Sequence, residues 1–247
     1  MLANRPPTHV ISPISICQVW TTYNSCVIWA NSALKWGEEE EGGVILISGE
    51  NPRLLESAKQ LANSINSTSS AVSTNPCKPT YNFSAHTLTR LELPEFLSET
   101  RNNTGLPPEK LIVEITESAL NQDAKISLNI MTRLRLKGFG LSIDDFGTGF
   151  SSLDQLKKIP FTELKIDQSF VHQSSKNQAS LAILESSIQL AKKLDIFSVA
   201  EGVEDQADWD LIEKLGCDVA QGYLIAKPMP AKDLIPWAKA YRLYHHA

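Results

Sequence analysis

Paired cysteines are missing from this chain. The four it has, Cys17, Cys26, Cys77 and Cys217, form no CxxC pair. That spacing leaves out a zinc ribbon and a dithiol redox centre, and predicts reduced structural thiols in a cytoplasm. A basic excess is also missing. The 23 Lys and Arg stand against 28 Asp and Glu, a net charge of −5, which gives no footprint for nucleic acid. No apolar run approaches the roughly 20 residues that cross a bilayer, so no membrane partner is expected. The opening MLANRPPTHV holds no apolar core of a secretory leader, and the expected location is cytoplasmic. Histidine is scarce, and all five lie outside the strand motifs described below, so no His is assigned a catalytic role.

What is present is an ordinary composition for a folded protein of 247 residues, 42% hydrophobic and 21% charged, enough for one large domain or two small ones. Its centre is Gly140 to Ser152, GLSIDDFGTGFSS. The apolar alternation through Leu141 and Ile143 predicts a buried strand over Gly140–Ile143, stopped by the carboxylates Asp144 and Asp145. Gly147 and Gly149 then predict a tight turn, and Ser151-Ser152-Leu153 a helix start. Adjacent acids repel and resist desolvation. They suit either a surface turn, with Asp145 capping a helix, or a cation site.

The early residues are harder to read. Val10–Ile16 and Val19–Trp29 predict two strands of a hairpin-like start, Val44–Ile47 a short strand and Pro52–Ile65 a helix. Glu38–Glu41 reads as a solvated acidic loop, and Ser67–Pro79 as a loop or linker. From there strands and helices alternate. Strands are predicted at Tyr81–Ser84, Lys110–Thr116, Glu163–Ile166, Phe197–Ala200 and Asp218–Ala220. Helices are predicted at Leu93–Thr100, Asp123–Leu136, Ser152–Lys158, Asn177–Leu194, Gln206–Leu215 and Ala231–Tyr241. Alternation with short connections predicts parallel strands joined by helical crossovers. At this length the fold class is α/β, a (β/α)8 TIM-like barrel, with a doubly wound open sheet as the alternative.

Each strand carries a polar oddity. Asn82 lies in YNFS, Glu114 in LIVEIT, Asp144 and Asp145 at the end of LSIDD, and Lys165 within LKI. Glu201 ends FSVAE with Glu204 three residues on, and Gln221 follows DVA. A charged residue in an apolar strand is unfavourable unless paired or bound to a metal. Several on consecutive strands converge on one barrel mouth, where strand C-termini build a site. The ligand types Asn, Glu, Asp and Asp are all oxygen donors, which favours Mg²⁺ or Mn²⁺ over zinc. Two such ions are a recurrent device for phosphodiester hydrolysis.

Together these motifs resemble the EAL-domain family of cyclic di-GMP phosphodiesterases: YNFS, EITES, IDDFGTGFSSL, LKIDQSFV, AEGVE, and QGY with Pro228 beyond it. The resemblance covers residues 81–241 of a single EAL-like domain spanning 1–247, with 1–80 divergent. It implies an EAL-type barrel that hydrolyses cyclic di-GMP to linear pGpG with two divalent ions. Asn82, Glu114 and Asp144 would bind the first ion, and Asp144 and Asp145 the second. Lys165, Glu201 and Gln221 would hold the attacking water and the waters of the second ion, and Glu204 would brace the loop after Asp145. Lys35, Tyr223 and Pro228 would touch the substrate. A homodimer is among the implied assemblies.

The first third departs from the family. Where a Glu-Ala-Leu tripeptide is expected, the chain reads Asn31-Ser32-Ala33-Leu34-Lys35-Trp36. Neither Asn31 nor Ser32 supplies a carboxylate, which weakens the first ion's site. Two readings follow: a phosphodiesterase limited by that loss, or a degenerate EAL domain that senses cyclic di-GMP or binds a protein partner without turnover.

Overall fold

The computed structural model describes residues 17–22, 25–29, 79–83, 87–104, 107–117, 120, 124–148, 153–172, 174–227 and 229–230. The strand expected at Val10–Ile16, the elements expected over Val44–Ile65 and the closing helix Ala231–Tyr241 lie outside these residues.

Among the described residues nine strands form one sheet: β1 Cys17–Thr22, β2 Ser25–Trp29, β3 Pro79–Phe83, β4 Ile112–Thr116, β5 Gly140–Phe146, β6 Glu163–Ile166, β7 Phe197–Ala200, β8 Val219–Ala220 and β9 Met229–Pro230. Their order is β8-β7-β6-β5-β4-β3-β1-β2-β9. From β3 to β8 every neighbouring pair is parallel, as crossovers through helices require. The described helices are α1 Leu93–Thr104, α2 Ala124–Leu136, α3 Leu153–Lys158, α4 Gln168–Val171, α5 Gln178–Leu194 and α6 Gln206–Leu215.

Two local expectations are corrected. The stretch Val19–Trp29 is not one strand. Thr22 pairs with Ser25, so the chain reverses there and β1 and β2 run antiparallel. β-branched residues on both sides of Tyr23-Asn24 hid the break. The second correction is at β5, which does not stop at Ile143 but continues to Phe146 and carries both acids within it.

Alternation along the strands separates two environments. Val113, Ile115, Leu141, Ile143, Leu164 and Ile166 join one apolar cluster with Ile130, Leu134, Leu184, Ile188 and Ala191 of the helices. Glu114, Ser142, Asp144 and Lys165 occupy the alternate positions and are buried too. Caps fix where the helices begin. Asn177 Oδ1 accepts from Ala179 N at 3.0 Å and Ser180 N at 3.3 Å. Asp205 Oδ1 accepts from Asp208 N at 2.9 Å. Each satisfies helix N–H groups that have no partner within the helix.

Candidate active site

Regular pleating would send Asp144 and Asp145 to opposite faces of the sheet. The structure prevents that. The β5–β6 register shifts between Ile143 and Phe146, and Asp145 sits at φ 56. A bulge of this kind adds a residue to one strand and re-aims its side chain, and Asp tolerates the left-handed conformation better than most residues. As a result Asp144, Asp145 and Glu201 each place a carboxylate oxygen within 4.8 Å of the others.

Lys165 stands beside this group, only 1% exposed. Its Nζ lies 2.8 Å from Asp144 Oδ1, 3.0 Å from Glu114 Oε1 and 2.5 Å from Glu201 Oε1. Burial pushes the ammonium down, but Asp144, Glu114 and Glu201 outweigh it and hold Lys165 well above its ordinary value. Glu201 goes the other way from a usual carboxylate. Burial raises it, Lys165 pulls it back, and Asp144 adds repulsion, leaving it at about 8. Among the described residues Glu201 Oε2 has no hydrogen-bond partner. Among the described residues the Lys165 ammonium contacts the carboxylates of Glu114, Asp144 and Glu201, and Asp145 joins the last two. The cluster's oxygen donors and the open Oε2 fit a hard divalent cation.

The loops that carry these groups interlock through glycines. At Gly222 an added Cβ would fall 2.1 Å from Val203 O, and at Gly202 (φ 70) 2.4 Å from Gln168 Cβ. Only glycine permits either approach. Gln221, 1% exposed, donates its N–H to Ala200 O at 2.8 Å and accepts from Val203 N at 3.0 Å. It thereby ties the ends of β7 and β8 together.

The expected site residues therefore separate into groups. Glu114, Asp144, Lys165 and Glu201 meet directly, Asp145 joins them through the bulge, and Gln221 lies in the loop packed on Val203. Asn82 pairs with Glu114 in the β3–β4 register, which puts it beside the cluster; its side chain lies outside the described residues. So do Lys35, Pro228, Asn31 and Ser32. Tyr223 is 40% exposed, with Lys227 Nζ 5.8 Å from its ring centre. Glu204 is exposed, and its N–H bonds to Asp208 Oδ2 at 3.2 Å. One residue was missed. Glu117, buried at 3%, accepts the Gly147 N–H at 3.0 Å, so it braces the loop after Asp145. Its signal was present in EITES, as an acid immediately after a buried strand.

Residues 51–228 match the family described as EAL domain. The chain belongs to the EAL domain family. This EAL domain is 44% identical over 131 residues to the bifunctional diguanylate cyclase/cyclic di-GMP phosphodiesterase MucR of Pseudomonas aeruginosa, covering 53% of this chain and 19% of MucR. It is 41% identical over 145 residues to the cyclic di-GMP phosphodiesterase RocR of the same organism, covering 59% of this chain and 37% of RocR. It thus spans well under half the length of these relatives. The solved cyclic di-GMP complex of the PaMucR phosphodiesterase superposes with a TM-score of 0.64 at 34% identity, covering 74% of this chain and 80% of that one. The fold is accordingly the TIM-barrel-like α/β fold of EAL domains.

Proposed function

We propose that this EAL domain hydrolyses cyclic di-GMP to linear pGpG in the cytoplasm, using two Mg²⁺ or Mn²⁺ ions. One observation carries the reading: Asp144, Asp145 and Glu201 offer oxygens within 4.8 Å of one another beside a buried Lys165. The names of MucR and RocR, both cyclic di-GMP phosphodiesterases, support the substrate.

Asn82, Glu114 and Asp144 would hold the first ion, and Asp144 with Asp145 the second. Such ions supply Lewis acidity and an activated water at neutral pH. The chain's own groups do the rest. Lys165 orients that water and offsets negative charge as it grows on the phosphate. The ionised form of Glu201, favoured beside cations, accepts a proton from the water. Water oxygen bonds to phosphorus, one P–O bond to ribose breaks, and the proton ends on the leaving oxygen. Gln221 holds a further water. Lys35, Tyr223 and Pro228 contact the dinucleotide.

A second reading has its own observation. Asn31-Ser32 stands where a carboxylate is expected, and a site lacking that ligand could bind cyclic di-GMP without turning it over. Such a module would act through a protein partner or a homodimer. Purified protein incubated with cyclic di-GMP and Mn²⁺ and followed by chromatography separates the two. Linear pGpG is expected; substrate left intact but bound would establish the sensor.

A further inference from the structure

Residues 201–204 carry Glu201 into the acidic cluster, yet they belong to no helix or strand. Contacts from elsewhere must therefore set the Glu201 position. On one side the hold is Gln221–Leu224, through Val203 N to Gln221 O and Leu224 N to Val203 O, both 3.0 Å. On the other side is α4, the short helix that follows Lys165 with Asp167 as its cap. Gly202 packs on Gln168 at the start of that helix. At its end, Asp208 Oδ2 accepts from Glu204 N and bonds to His172 Nδ1, both at 3.2 Å. Asp208 is 4% exposed, in the first turn of α6. A carboxylate oxygen accepts, so His172 Nδ1 is the donor in this contact.

We propose that His172 and Asp208 are positioning residues. Through the Glu204 N–H they tie the Glu201 segment to the helix that continues from Lys165, and so hold the Glu201 carboxylate against Lys165, Asp144 and Asp145. A buried carboxylate shared by two donors from separate elements fixes their relative position more firmly than either contact alone. The side chains of His172 and Glu204 also line a cavity of about 570 Å³ with Gln168, Ser169 and Lys176. Water in that cavity would compete for Asp208 once the imidazole is removed.

Three variants test the tie: Asp208→Ala, His172→Ala and His172→Asn. His172 is 36% exposed, so its truncation leaves the fold intact even where Asp208→Ala fails to fold. Asn places an N–H donor where Nδ1 stands, so it should rescue. The first readouts are Mn²⁺ affinity and amide exchange over residues 201–204. His172→Ala should weaken Mn²⁺ binding about tenfold and speed exchange at Glu204, and His172→Asn should restore both. Wild-type exchange in His172→Ala, or a loss that His172→Asn does not restore, overturns the proposal. The kinetic arm rests on the phosphodiesterase reading: His172→Ala should lower kcat with little change in KM. If the wild type shows no turnover, that reading fails, while the exchange measurement still decides the role of His172.

Discussion

Lys165 Nζ lies 2.5 Å from Glu201 Oε1, with both side chains buried. This pair joins two strands, β6 and the end of β7, at the point where the acids converge. A buried ammonium among acids is held by them and holds them, so removing it leaves charges without a counterpart.

Lys165→Met keeps the length of the side chain and removes the charge. In metal-free protein it should destabilise by about 3–5 kcal/mol, the usual effect of breaking a buried pair. Added Mn²⁺ should recover part of that loss. Turnover should fall roughly 10²–10³-fold. Thermal unfolding with and without Mn²⁺ checks the first two statements. A metal-free variant as stable as the wild type would contradict the role given to Lys165.

Glu201 sets a pH dependence. Burial and its acidic neighbours raise it from 4.5 to about 8, so the folded state binds that proton more tightly than the unfolded state does. Its contribution to stability is full below about 4.5 and is lost as pH rises through about 8. Lys165, itself raised, keeps its contribution across this window. The melting temperature of metal-free protein should therefore fall between about pH 4.5 and about pH 8. Glu201→Gln should flatten that slope. Mn²⁺, which favours the ionised carboxylate, should flatten it in the wild type. A wild-type slope unchanged by Glu201→Gln would show that other groups set it.

Asn31 and Ser32 bear on the choice between enzyme and sensor. With a carboxylate restored, the first ion should bind more tightly. Asn31→Glu or Ser32→Glu should then raise turnover at low Mn²⁺, by up to roughly 10²-fold. If neither variant changes turnover at any Mn²⁺ concentration, the missing carboxylate does not limit this domain.

Much of this site was legible because its residues break a pattern. Glu114 and Lys165 stand inside strands whose neighbours are apolar, and only pairing or metal binding explains that. Strands Glu163–Ile166 and Phe197–Ala200 and helix Gln206–Leu215 appear where expected, since alternation and the Asp205 cap mark their ends. Asp144-Asp145 was read as a strand end because hydropathy registers polarity but not a bulge. The left-handed backbone at Asp145 depends on strand pairing, which is not local. The antiparallel turn of β2 and the four-residue helix Gln168–Val171 were not legible for a similar reason. Neither is long enough to show a period, and both are set by what packs against them.

Calorimetric titration of Mn²⁺ into metal-free protein and into Asp144→Asn tests the central claim most directly, namely that the buried acids form a divalent-cation centre. Asp144 stands at the junction of both proposed ion sites, so the account predicts saturable binding by the wild type, with two ions at high Mn²⁺. It also predicts that Asp144→Asn weakens both sites at least tenfold. Equal Mn²⁺ binding by the two proteins, or no binding by either, would contradict it.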